Sequence, residues 1–185
     1  LGFDRSERRL QEEFALDVRS QHPVTRSARP EKLPSLSGGV GRGSLMRCSH
    51  CHRSDNPSAP RGPHGSSHRL LLSGNYLLDP VAEESAVAYE FCYSCHDRAS
   101  ILADDSFPLH RSHIEGDPVT GRPGTSCYTC HASHGSPKYP HLLRFHAGAV
   151  SRDPGTGLLR YVQTSPGSGQ CWLSCHGVDH GPEEY

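Results

Sequence analysis

Cys127-Tyr128-Thr129-Cys130-His131 is one of four stretches that decide how this chain must be built. Cys48-Ser49-His50-Cys51-His52 and Cys92-Tyr93-Ser94-Cys95-His96 share its spacing, and Cys171-Trp172-Leu173-Ser174-Cys175-His176 is one residue longer. These pairs use all 8 Cys, and His follows every pair. On one helical turn, positions i, i+3 and i+4 share a face. Two thiols so placed reach the two vinyl groups on one porphyrin edge, and the next His sits beneath the ring to ligate iron. C-x-x-C-H is therefore read as an attachment pattern for c-type haem. The fourth stretch sets its residues at i, i+4 and i+5, so its loop is expected to bulge. Zinc ribbons also use C-x-x-C pairs, but zinc does not need His after every second Cys. A disulfide framework would leave the 14 His unexplained.

Four haem c groups are thus expected, joined through Cys48, Cys51, Cys92, Cys95, Cys127, Cys130, Cys171 and Cys175, with His52, His96, His131 and His176 as proximal iron ligands. Of the other ten His, His64, His110, His113 and His134 are the expected distal ligands. His64 and His134 each open a His-Gly-Ser segment followed by Leu residues, and His110 and His113 are spaced i, i+3. His180 and His22 are further distal candidates. His50 lies inside its own attachment loop, while His68, His141 and His146 are expected at the surface or hydrogen-bonded. Met46 is the only Met, so bis-His ligation is the expected state on all four irons, with low potentials. Both axial positions are then closed, which leaves no site for a substrate, and the chain is not expected to be an enzyme.

The remaining sequence offers little side-chain core. Hydrophobic residues are 34% and aromatics 7% of 185 residues, with 19 Gly and 15 Pro. The expected fold is mostly irregular, with a few short α-helices and little or no sheet: a multihaem cytochrome c fold organised around four stacked haems. Asp4-Arg5-Ser6-Glu7 resembles a capping box, and Leu10, Phe14 and Val18 extend a predicted helix over 5–19. Residues 20–45 read as an extended arm. Asp79-Pro80 predicts a helix over 80–96 that carries the second motif on its last turn. Tyr161–Thr164 is the one segment read as able to pair briefly. The first motif cysteines stand at 48, 92, 127 and 171, in steps of 44, 35 and 44, which reads as a loosely duplicated two-haem unit. The expected division is a helix and arm over 1–45 in contact with another subunit, a first two-haem module over 46–120 and a second over 121–185. A formal charge of -1 gives no reason to expect nucleic acid, and no stretch approaches about 20 apolar residues, so no membrane span is expected. Arg supplies 17 of the 19 basic residues, a composition suited to haem propionates.

From Cys48 to Tyr185 the chain resembles the tetrahaem c-type cytochrome subunits of extracellular cytochrome filaments, the microbial nanowires. The likeness rests on Gly62-Pro63-His64-Gly65-Ser66, Cys92-Tyr93-Ser94-Cys95-His96, Ser106-Phe107-Pro108-Leu109-His110 through His113, His134-Gly135-Ser136, and Cys175-His176-Gly177 with His180. The resemblance implies a homopolymer with a continuous line of bis-His haems, redox partners at the cell surface or beyond it, and an extracellular or cell-surface location. It also implies that a His of one subunit ligates a haem of the next, and His22 on the arm is the candidate for that role. The alternative is a soluble periplasmic electron shuttle. Leu1 is read as a processed N-terminus, consistent with export.

Overall fold

The computed structural model describes residues 10–27, 35–37, 43–60 and 62–185. Its helices are short: α1 Leu10–Glu13, α2 Cys48–Cys51, α3 Glu90–Tyr93, α4 Arg98–Leu102, α5 His110–Glu115 and α6 Cys127–Cys130. The strands are β1 Ser20–Gln21, β2 Gly116–Asp117, β3 Arg122–Pro123, β4 Gly135–Ser136, β5 Val150–Ser151, β6 Arg160–Ser165, β7 Ser168–Cys175 and β8 Val178–Glu184. All their pairings are antiparallel.

The expectation of little or no sheet is wrong: the described strands form two two-stranded sheets, β1–β4 and β2–β3, and one of four strands in the C-terminal part. Here β7 is the centre of a four-stranded sheet, with β5, β6 and β8 paired to it. The signal was an alternation hidden inside the fourth motif. Gly169, Cys171 and Leu173 are buried, while Gln170, Trp172 and Ser174 between them are half-buried, the period of two that a strand requires. Read only as attachment residues, the cysteines concealed it. Tyr139, Val150, Tyr161, Cys171 and Leu173 form the core on that inner face. The fold is therefore one of short helices and small antiparallel sheets with side-chain cores of its own, not the mostly irregular body organised around stacked haems that was expected. Tyr161–Thr164, read as a brief pairing, lies within β6.

Two helix expectations also change. Of the predicted helix over 5–19, only α1 forms among the described residues, and the capping-box residues 4–7 lie outside them. Its end is drawn into tertiary contacts: Glu13 is buried, its carboxylate accepts a hydrogen bond from Arg144 at 2.6 Å, and β1 pairs with β4. The segment after Asp79-Pro80 runs extended instead of helical. The Asp79 carboxylate accepts from the Val81 N–H at 3.1 Å, Val81 bridges to Thr125, and the Ala82 N–H donates to Gly124 O at 3.2 Å. Asp at this place folds an Asx turn, a competing use of the same side chain. Helix α3 begins only at Glu90, over a second core of Ala82, Tyr89 and Ile114.

The described part of the arm packs on its own chain. Ser20 and Gln21 pair with Ser136 and Gly135, and Leu36 bridges to His96. No described helix is long and apolar enough to cross a membrane.

The approach of the arm to β4 depends on Gly135, where an added Cβ would overlap the carbonyl of Glu13. Gly135→Ala is expected to destabilise the fold by about 1–3 kcal/mol through overpacking. A thermal melt compared with the parent chain checks this, and an unchanged Tm would contradict the packing described.

Candidate cofactor-binding site

Three motifs close as one helical turn. The His52 N–H donates to Cys48 O at 2.8 Å, that of His96 to Cys92 O at 3.0 Å, and that of His131 to Cys127 O at 2.9 Å. Each turn brings its two Cys to one side, as i, i+3 spacing dictates. The fourth motif does not bulge from a helix. It lies in β7, where Cys171 and Cys175 fall on one face because an even spacing along a strand keeps the same side.

The loops behind His52 and His131 repeat each other. Ser66 Oγ donates to Leu72 O at 2.5 Å, and Ser136 Oγ donates to Leu143 O at 2.6 Å. Both loops then contain two successive left-handed residues, Leu70 and Leu71 (φ 61 and 56) and His141 and Leu142 (φ 56 and 57). This conformation costs a bulky residue roughly 1–2 kcal/mol. It turns a carbonyl onto an imidazole: Leu70 O lies 2.8 Å from His52 Nδ1 and His141 O 2.9 Å from His131 Nδ1. The His-Gly-Ser and Leu segments thus serve these two motif His directly, a role their sequence did not disclose.

Four imidazole pairs stand in the described structure. The ring centres of His52 and His134 are 6.2 Å apart, those of His22 and His96 6.5 Å, those of His110 and His131 6.3 Å, and those of His113 and His180 6.4 Å. Two imidazoles bound trans to one metal, each through a nitrogen about 2.0 Å away with its ring centre about 1.1 Å beyond, would be about 6.2 Å apart. Ordinary aromatic contacts span about 4.5–7 Å, so distance alone does not single these pairs out. Their composition does: three join a motif His to a non-motif His far away in sequence.

The second nitrogens fit the same use. Nδ1 of His22 lies 2.7 Å from Ser133 O and that of His113 2.7 Å from Leu109 O. Nδ1 of His134 lies 3.1 Å from the Glu13 carboxylate, and that of His180 3.0 Å from Tyr185 Oη. With His52 and His131, six of the eight paired rings are held through Nδ1, which leaves Nε2 for a metal. His110 Nδ1 is shut from solvent without a partner among the described residues.

Burial holds His96 and His131 down to about 4 and also lowers His22 and His110, which favours the neutral ring that metal ligation needs. Burial pushes the thiols the other way, Cys51 and Cys171 up to about 11 and Cys130 up to about 12. Thiols in that state are not reactive nucleophiles. Among the described residues no three His, Cys, Asp or Glu side chains converge as a zinc site requires. The donors come in twos, which suits a planar tetradentate ring that fills the other positions itself.

Other candidates fall elsewhere. His64 and His176 are exposed, and neither faces another ring among the described residues. His50 Nδ1 caps its own motif through the Arg47 N–H at 2.9 Å. His68 lies 3.9 Å from Asp55, and His146 packs on Tyr128 with ring centres 5.0 Å apart. His141 contributes its carbonyl, as described above. A cavity of about 320 Å³ beside Glu13, Tyr139 and Arg144 includes no motif residue. Arg53 follows His52 and has an Nε shut from solvent with no partner among the described residues, a position suited to an anionic substituent. No known family, curated protein or solved structure matches the chain.

If the two loops act alike, removing their serines should have unequal effects. Each Oγ also accepts from a backbone N–H, that of Tyr139 on Ser136 at 3.1 Å and that of His68 on Ser66 at 3.0 Å, but Ser136 is 2% exposed whereas Ser66 is only half-buried. Ser136→Ala is expected to cost about 1–3 kcal/mol and Ser66→Ala less. Denaturant unfolding of both variants reads the order directly.

Proposed function

We propose that this chain is an electron-transfer protein carrying four covalent haem c groups, each bound by two His. The single observation that supports the reading best is the set of four imidazole pairs, 6.2 to 6.5 Å between ring centres, beside four Cys-pair motifs. When bound, the haems supply one-electron chemistry at iron. The Cys pairs would attach the haems, and two His at each would hold the iron and leave no place for a substrate, so no enzymatic activity is proposed.

The order along the chain follows from shared supports. His22 of the second pair is joined to the first, because its N–H donates to His134 O at 3.0 Å and its Nδ1 meets Ser133 O. Cys92 of the second motif and Cys127 of the third pack on the same buried core. His110 and His113, on one turn of α5, belong to the third and fourth pairs. Successive sites are therefore neighbours in sequence order.

The resemblance extends the proposal to a repeating subunit of an extracellular conductive filament, with identical subunits and surface or extracellular redox partners. The shuttle is a second reading, favoured by one observation: all eight paired imidazoles, His22 included, come from a single chain. The cross-subunit role implied for His22 is not proposed, since its ring lies opposite His96 of the same chain.

The intact chain is expected to exceed its polypeptide mass by four haems, and none of its 8 Cys should alkylate after reduction and unfolding. Full alkylation would end the haem reading. His22→Ala is expected to turn one haem in four high-spin by electron paramagnetic resonance. Negative-stain imaging separates the forms: fibres support the filament, and dispersed particles support the shuttle.

A further inference from the structure

Of the six paired imidazoles held through Nδ1, five meet a neutral oxygen. His22, His52, His113 and His131 meet backbone carbonyls, and His180 meets the Tyr185 hydroxyl. The sixth, His134, faces a carboxylate: its Nδ1 lies 3.1 Å from Glu13 Oε2. A carboxylate only accepts hydrogen bonds, so Nδ1 carries the proton and Nε2 is left for a metal. The other oxygen, Oε1, accepts from Arg144 Nη1 at 2.6 Å. That bond compensates the buried charge and fixes its aim without taking the place at Nδ1.

The surroundings hold this contact in one geometry. Glu13 ends α1 and is 4% exposed. Its backbone carbonyl lies against Gly135, where a Cβ would overlap it, so Glu13 meets the loop of His134 through main chain as well as side chain. Phe14, the next residue, packs on the His134 ring with ring centres 5.2 Å apart. The carboxylate is therefore shut from water, where a charge is screened less than at the surface.

We propose that Glu13 is a positioning residue that lowers the reduction potential of the first site, the one held by His52 and His134. The proposal rests on the haem reading of that site and does not involve the fourth motif. A carboxylate on Nδ1 makes the imidazole a more basic ligand and sets negative charge beside it. Both effects favour oxidised iron, because reduction adds one electron to a site that already faces a fixed negative charge. The neutral oxygens on the other five rings exert no such bias.

The test is a potentiometric titration of the mature, haem-loaded chain, read by visible spectroscopy. Glu13→Gln keeps the size of the side chain and its capacity to accept from Nδ1 but removes the charge. One haem is expected to move to higher potential by about tenfold in its reduction equilibrium, about 59 mV for one electron, with the others unmoved. His134→Met marks that haem independently, since a Met ligand raises the potential. A residue that only ties the arm to β4 would change the melting temperature and leave every potential in place. If Glu13→Gln does not mature, Glu13→Asp decides: it keeps the charge but withdraws it from Nδ1 by one methylene, and the same haem is expected to rise by a smaller step. Unchanged potentials in these variants, or a rise in a haem other than the one that His134→Met moves, overturn the proposal. A parent chain whose mass shows no haem would sink the haem reading instead, and that measurement tells the two failures apart.

Discussion

An imidazole has two nitrogens, and a hydrogen bond to one commits the other. The arrangement of this protein depends on that constraint. Backbone carbonyls take Nδ1 of His22, His52, His113 and His131, and side chains take Nδ1 of His134 and His180. Ring orientation and tautomer are then set together, before any metal is considered. Three of the accepting carbonyls belong to left-handed residues, Leu70, Leu109 and His141. Strain at these positions is the local cost of turning a carbonyl inward, and the surrounding contacts offset it.

Those contacts come largely from distant parts of the chain. The Glu13 carboxylate reaches His134 on one side and Arg144 on the other while itself 4% exposed. An isolated buried carboxylate would be costly, and its Arg and His partners compensate it. Through this contact and the β1–β4 pairing, the arm holds the second partner of the His52 pair in place. The arm also carries His22 to His96. An element that looks like an appendage in sequence is part of two imidazole pairs.

The Cys-pair motif lies on two kinds of backbone. Three Cys pairs sit on helical turns and one sits on a strand. A pattern of i, i+4 keeps residues on one face in both cases, by turn periodicity in a helix and by parity in a strand. The following His has no such double meaning. It continues under the turn in the helix but leaves the face in the strand. That difference separates His176 from His52, His96 and His131.

The chain's residues alone were enough to identify eight Cys in four pairs, the His after each, the surplus of other imidazoles and the scarcity of apolar core, because these depend on residue type and short spacing. The His110–His113 turn was legible for the same reason. The sheet was not, because its inward residues include the very cysteines that served as motif markers. The helix from Asp79 was not, because an Asx turn and a cap use one side chain. Which imidazoles meet was decided only by tertiary structure: His22 with His96 and His52 with His134 are separated by most of a module. Pairing across such distances follows from long-range strand register and buried ion pairs, and no local spacing encodes it.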